Sequence, residues 1–76
     1  MRTLGSIITE YRKNKGLSQA ELAEAINGYG YSLTNKAVSK WEKDAAAPSI
    51  PTFITLCKIL GIEDIYKAVK TSVSVA

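Results

Sequence analysis

Glycine and proline cut this 76-residue chain so often that only short segments are left between them. Gly16, Gly28, Gly30 and Gly61, with Pro48 and Pro51, mark the breaks. Both residue types punctuate regular backbone, glycine by its freedom and proline by its missing N–H. A chain divided this way folds as short elements packed on one another, and the pattern inside each segment says which kind. In the first, Leu4, Ile7, Ile8 and Tyr11 fall at i, i+3, i+4, i+7, one stripe of a helix. Arg12, Lys13 and Lys15 close that segment, where cations suit the negative end of the helix dipole, and Gly16 stops it.

The second segment opens on Ser18-Gln19-Ala20-Glu21. Serine followed three residues later by glutamate is a capping box, so Ser18 is the N-cap. Leu22, Ala23 and Ile26 supply the apolar stripe and Asn27-Gly28 the end. A third helix is predicted from Asn35 to Lys43 behind an N-cap at Thr34. Val38 and Trp41 lie on its inner face, and Lys36, Lys40 and Lys43 lie elsewhere on the wheel. The fourth begins at Ser49 with Pro51 in its first turn. It carries Phe53, Leu56, Cys57 and Leu60 at helical spacing and ends at Gly61. A fifth is predicted over Glu63 to Val69, with two acids in its first turn as the dipole favours. Val73-Ser74-Val75 alternates weakly, and residues 71–76 read as a tail or the start of a linker. The expectation is a single all-α domain over residues 1–70, its five short helices surrounding one core.

Composition narrows the function. Ten Lys+Arg against seven Asp+Glu leave a net charge of +3, compatible with a nucleic-acid partner but not specific for one. Without histidine a His-based catalytic triad is excluded, and one cysteine, Cys57, leaves no basis for a structural zinc site or an internal disulfide. No apolar run approaches the roughly 18 residues of a membrane span. The opening residues lack the apolar stretch of a signal peptide, and the lone cysteine fits a reducing compartment, so the expected location is cytoplasmic with no membrane partner. Glu21, Glu24, Asp44, Glu63 and Asp64 are all explicable as capping or solvated charges, so no enzyme, metal or cofactor is expected.

Two short helices in tandem suggest a helix-turn-helix, and three stretches add to that. Tyr11-Arg12-Lys13-Asn14-Lys15-Gly16-Leu17-Ser18-Gln19-Ala20-Glu21-Leu22-Ala23 closely resembles the Cro/phage-repressor type, or Xre, helix-turn-helix family. So does Ala37-Val38-Ser39-Lys40-Trp41-Glu42-Lys43 followed by Pro48-Ser49, and so does Leu56-Cys57-Lys58-Ile59-Leu60-Gly61-Ile62. The matches come in the family's order over roughly residues 4–66. The resemblance implies a five-helix, lambda-repressor-like fold and a sequence-specific regulator of double-stranded DNA, a repressor from a bacterium or phage, with the third helix in the major groove. It assigns Gln19 a phosphate contact at the start of the second helix, where the helix dipole favours an anion. On the third helix, Thr34 and Ser39 become short-range DNA contacts, and Asn35 and Lys36 become readers of adenine and guanine edges. Lys40 and Lys43 would reach base or phosphate. Arg12 and Glu42 match positions that commonly form an ion pair between the first helix and the end of the third. Val38, Trp41, Phe53, Leu56 and Cys57 match core positions.

There is one departure. Val38 stands 19 positions after Gln19, about five more than the usual family spacing, and the extra residues lie in Asn27-Gly28-Tyr29-Gly30-Tyr31-Ser32-Leu33. The turn between the second and third helices is therefore lengthened. Tyr31 and Leu33 alternate with Ser32, which predicts an extended piece plugging an apolar gap, while Tyr29 is expected outside, within reach of a DNA backbone. The competing reading is a protein-interaction module of the same fold, as in an antitoxin or coactivator. It would be expected to carry an apolar patch on the third helix, where this chain has Asn35, Lys36, Ser39, Lys40 and Lys43. For DNA, so small a module is expected to act as a homodimer on a palindromic operator, with the fifth helix and tail as the expected dimer surface. The chain is read either as a free small repressor or as the N-terminal part of a longer one with a further C-terminal domain.

Overall fold

The computed structural model describes residues 2–70. Those residues are all-helical, in five helices: α1 (Leu4–Asn14), α2 (Gln19–Asn27), α3 (Asn35–Glu42), α4 (Ile50–Leu60) and α5 (Ile65–Lys70). The terminal stretch 71–76, expected to be a tail, lies outside the described residues.

The helix starts follow the capping chemistry. Thr3 accepts from Ser6 N to begin α1, and Ser18 and Glu21 close a full capping box at α2. Ser49 caps α4 through Thr52 N, with Pro51 in the first turn. Thr34 occupies the N-cap position of α3 with extended backbone, but its hydroxyl makes no capping bond. Several predicted boundaries shift by a residue or two. Lys43 is the C-cap of α3 rather than its last residue. The fifth helix begins at Ile65, so Glu63 and Asp64 precede it, and Asp64 Oδ1 accepts from Lys67 N at 3.0 Å instead of sitting in the first turn.

Three helix ends use a left-handed residue: Gly16 (φ 73°), Gly61 (φ 77°) and Asp44 (φ 59°). At α3 the Asp44 N–H donates to Trp41 O at 3.1 Å and the Ala45 N–H to Lys40 O at 2.9 Å, the paired bonds of a Schellman ending. An aspartate in this conformation costs more than glycine. Its carboxylate explains the choice, because Oδ1 accepts from Gly5 N at 2.9 Å, satisfying an open donor at the α1 N-terminus and placing a negative charge on its dipole.

Ile7, Ile8, Leu22, Ala23, Ile26, Val38, Trp41, Leu56, Leu60, Ile62 and Ala68 form the buried core. Tyr11, Phe53 and Cys57 are only partly buried against it. The helix stripes meet here: α3 lies against α1 and α2, with α4 behind them and α5 on α1. Two helices approach closely at Gly5, where an added Cβ would stand 2.5 Å from Trp41 O and 2.7 Å from Glu42 O. Only a glycine lets α1 pack this close to the end of α3.

In the lengthened turn, Tyr31 and Leu33 pack against the core and Tyr29 is exposed, with Lys58 Nζ 5.5 Å from the centre of its ring. Asn27 closes the loop. Its Nδ2 donates to Leu33 O at 2.8 Å and its Oδ1 accepts from Leu33 N at 2.7 Å. One side-chain amide thus pairs both backbone groups of the residue just before the α3 cap.

Candidate nucleic-acid interface

Helix α3 is eight residues long, and its two faces differ completely. Val38 is fully buried and Trp41 nearly so. Lys36 and Lys40, one turn apart, point away from Val38 and are exposed. Asn35, in the first turn, and Thr34 before it are also exposed, as is Lys43 after the last turn, while Ser39 is half-buried. The predicted contact residues of the third helix therefore do share one accessible side, with Ser39 the most recessed.

The charge on that side is unbalanced. Lys36 and Lys40 repel each other at i, i+4 spacing. Among the described residues the ion pairs are Arg2–Glu10 and Arg12–Glu42, so none of Lys36, Lys40 and Lys43 is neutralised by one. The only acid on α3, Glu42, faces inward and is 8% exposed. Asp44, next along, is turned to Gly5. What remains outward is a short cationic ridge.

Glu42 is the centre of the support beneath it. Arg12 Nε donates to Glu42 Oε2 at 2.6 Å and Nη2 to Oε1 at 3.2 Å, a forked pair whose arginine side is 11% exposed. Arg12 Nη1 also donates to Leu17 O at 2.7 Å, in the turn before α2. Gln19 Nε2 donates to the same Glu42 Oε1 at 3.0 Å. One carboxylate therefore ties α1, α2 and α3 together. Burial is the largest single influence on its pKa and pushes it up. Hydrogen bonds from Arg12 and Gln19 and the Arg12 charge together outweigh it and hold the pKa below the ordinary value.

The predicted ion pair is thus present. Gln19 has a position the sequence did not reveal: it is half-buried and committed through one amide hydrogen to Glu42, which leaves the other for a phosphate. Sequence reasoning missed Gly5 and did not see that Asn27 and Asp44 hold α3 in place. The signal present was type and position, since Asn and Asp at helix ends commonly bond nearby backbone. Cys57 carries no site chemistry: burial raises its thiol pKa, the opposite of activation.

A helix with a polar, cationic outer face, set on the helix before it and anchored from below, defines a DNA-binding helix-turn-helix domain. Residues 8–66 match the family model described as Helix-turn-helix, and the chain belongs to this Cro/C1-type, Xre-like family with its lambda-repressor-like fold. No curated protein and no solved structure matches the chain.

Proposed function

We propose that the protein is a sequence-specific transcriptional repressor that binds a palindromic operator as a homodimer, with α3 of each copy in the major groove. The observation that carries this reading is the unpaired cationic ridge of α3 above the Arg12–Glu42–Gln19 anchor. Like-charged lysines one turn apart gain most from a polyanion, and a helix held by two neighbouring helices keeps its register on the groove. Asn35 reads adenine through its N6 and N7 edge, and Lys36 donates to guanine O6 and N7. Gln19, Lys40 and Lys43 hold phosphates, and Thr34 and Ser39 make shorter contacts. A protein-binding use of α3 would call for an apolar outer face, and the exposed residues Asn35, Lys36 and Lys40 favour DNA over it.

The test is selection of bound duplexes from a random pool, followed by binding of variants to single-base changes of the recovered site at fixed salt. A two-fold symmetric site is expected. Asn35→Ala and Lys36→Ala should each cost about 1–3 kcal/mol on it and relax preference at one base pair per half-site. Equal loss on every sequence would remove these two residues from base readout, and a pool that yields no common site would overturn sequence-specific binding.

A further inference from the structure

Helix α4 has an outer face that neither the core nor the DNA reading uses. Thr52, Leu56 and Leu60 form its buried row. Ile50 and Ile54, two residues before Thr52 and two after it, point to the opposite side, since each residue advances about 100° around a helix. They are 77% and 63% exposed. Pro51 beside them is exposed, and so are Ala45, Ala46 and Ala47 in the preceding loop. That loop runs back over the last turn of α3, where Ala45 N and Ala46 N donate to Lys40 O at 2.9 and 3.3 Å. The apolar surface therefore begins beside the cationic ridge and continues along α4. From Ala45 to Cys57 the sequence holds no charged residue. The first charge beyond it on this face, Lys58, leans over the Tyr29 ring.

We propose that this surface is where a second copy of the chain docks, through a two-fold axis passing near Ile54. The inference rests on the DNA-binding reading for its purpose but not for its test. A two-fold contact brings a patch against itself, so a patch with charge of one sign meets the same sign across the axis. On a chain of net charge +3, a neutral apolar patch can self-associate without that penalty. Its position next to α3 also suits two recognition helices presented side by side to successive half-sites. The fifth helix, the dimer surface expected from sequence, has Tyr66 as its exposed large apolar residue. Two isoleucines, a proline and three alanines make a small contact, so the pairing belongs to the weak, transient class and is expected at micromolar concentration.

The experiment is sedimentation equilibrium of the whole chain and of Ile54→Glu and Tyr66→Glu, with helicity and Tm as controls and titration of a one-half-site and a two-half-site duplex alongside. The wild type and Tyr66→Glu should dimerise in the micromolar range. Ile54→Glu should be monomeric at least tenfold higher in concentration with an unchanged Tm, because the side chain lies outside the core. It should bind one half-site like wild type and lose cooperativity on two. A wild type that stays monomeric throughout, an Ile54→Glu variant that still dimerises, or dissociation by Tyr66→Glu alone would overturn the proposal. If Ile54→Glu breaks the dimer but no duplex binds, the interface stands and the DNA reading falls. If duplexes bind and Ile54→Glu leaves the dimer intact, the reverse holds.

Discussion

At the scale of single residues, Glu42 sets how firmly α3 is held. Removing one member of a largely buried pair leaves the other charge without compensation, so Arg12→Ala and Glu42→Ala should each cost about 3 kcal/mol, and the double variant less than their sum. Denaturation midpoints of the three proteins test this, and strict additivity would deny the coupling. The pH dependence has a fixed sign. Glu42 is held below its ordinary pKa in the fold. Its contribution is therefore complete above the ordinary carboxylate range, and it is lost as pH falls through that range to the folded value. A Glu42→Gln variant should be less stable at neutral pH and lose less on acidification than wild type. With Gln19 and Lys43 acting on phosphate as proposed, replacing either by alanine should weaken binding to operator and random DNA by similar factors. Gln19→Ala should also lower stability by about 1 kcal/mol, because Glu42 loses a donor. Lowered stability with unchanged binding would remove Gln19 from the interface.

At the scale of elements, the helices were legible because caps and stripes are local. Ser18 with Glu21, Ser49 with Pro51, and the stops at Gly16 and Gly61 are written within one or two turns of sequence. The relation of α1 to α3 was not legible, because Gly5 and Asp44 are distant in sequence and each is ordinary alone. Gly5 sits inside a helix, where its own propensity would argue against it, and only the neighbouring carbonyls explain it. Gly5→Ala therefore opposes two effects. Helix propensity favours alanine by about 1 kcal/mol, whereas the new Cβ meets backbone oxygens at 2.5 and 2.7 Å that cannot swing aside. Overpacking should win, with a net loss of about 2 kcal/mol in urea denaturation. A gain would mean the α1–α3 gap opens at little cost. The candidate site divides the same way. Its outward lysines follow from helical spacing, whereas the tie from Gln19 to Glu42 needed three dimensions.

At the scale of the molecule, the core is small and every large member counts. Trp41 joins α3 to the rest, and Trp41→Ala should cost about 3–5 kcal/mol. That approaches the whole stability of a domain of this size, so the variant should be largely unfolded at 37 °C by circular dichroism. An unchanged Tm would contradict its 6% exposure. Lys40→Ala should leave the fold intact and flatten the dependence of log K on log salt by about one unit, as expected when one fewer phosphate is neutralised.

The amide clamp of Asn27 on Leu33 has a consequence for how this domain tolerates added sequence. Because the clamp fixes the entry to α3, the exposed residues 28–30 hang from it as a side loop, and their number should not set where the next helix begins. Lengthening a flexible loop adds little closure entropy, about 0.6 kcal/mol per doubling. Four Gly and Ser residues grafted after Gly30 should then leave both Tm and operator affinity close to wild type, making this spot an attachment point for a tag or a second protein. In an Asn27→Ala background the same graft should become damaging, because the insert would then pull directly on α3. Equal tolerance in both backgrounds would show that Leu33 and Tyr31, wedged against the core, hold the register without help.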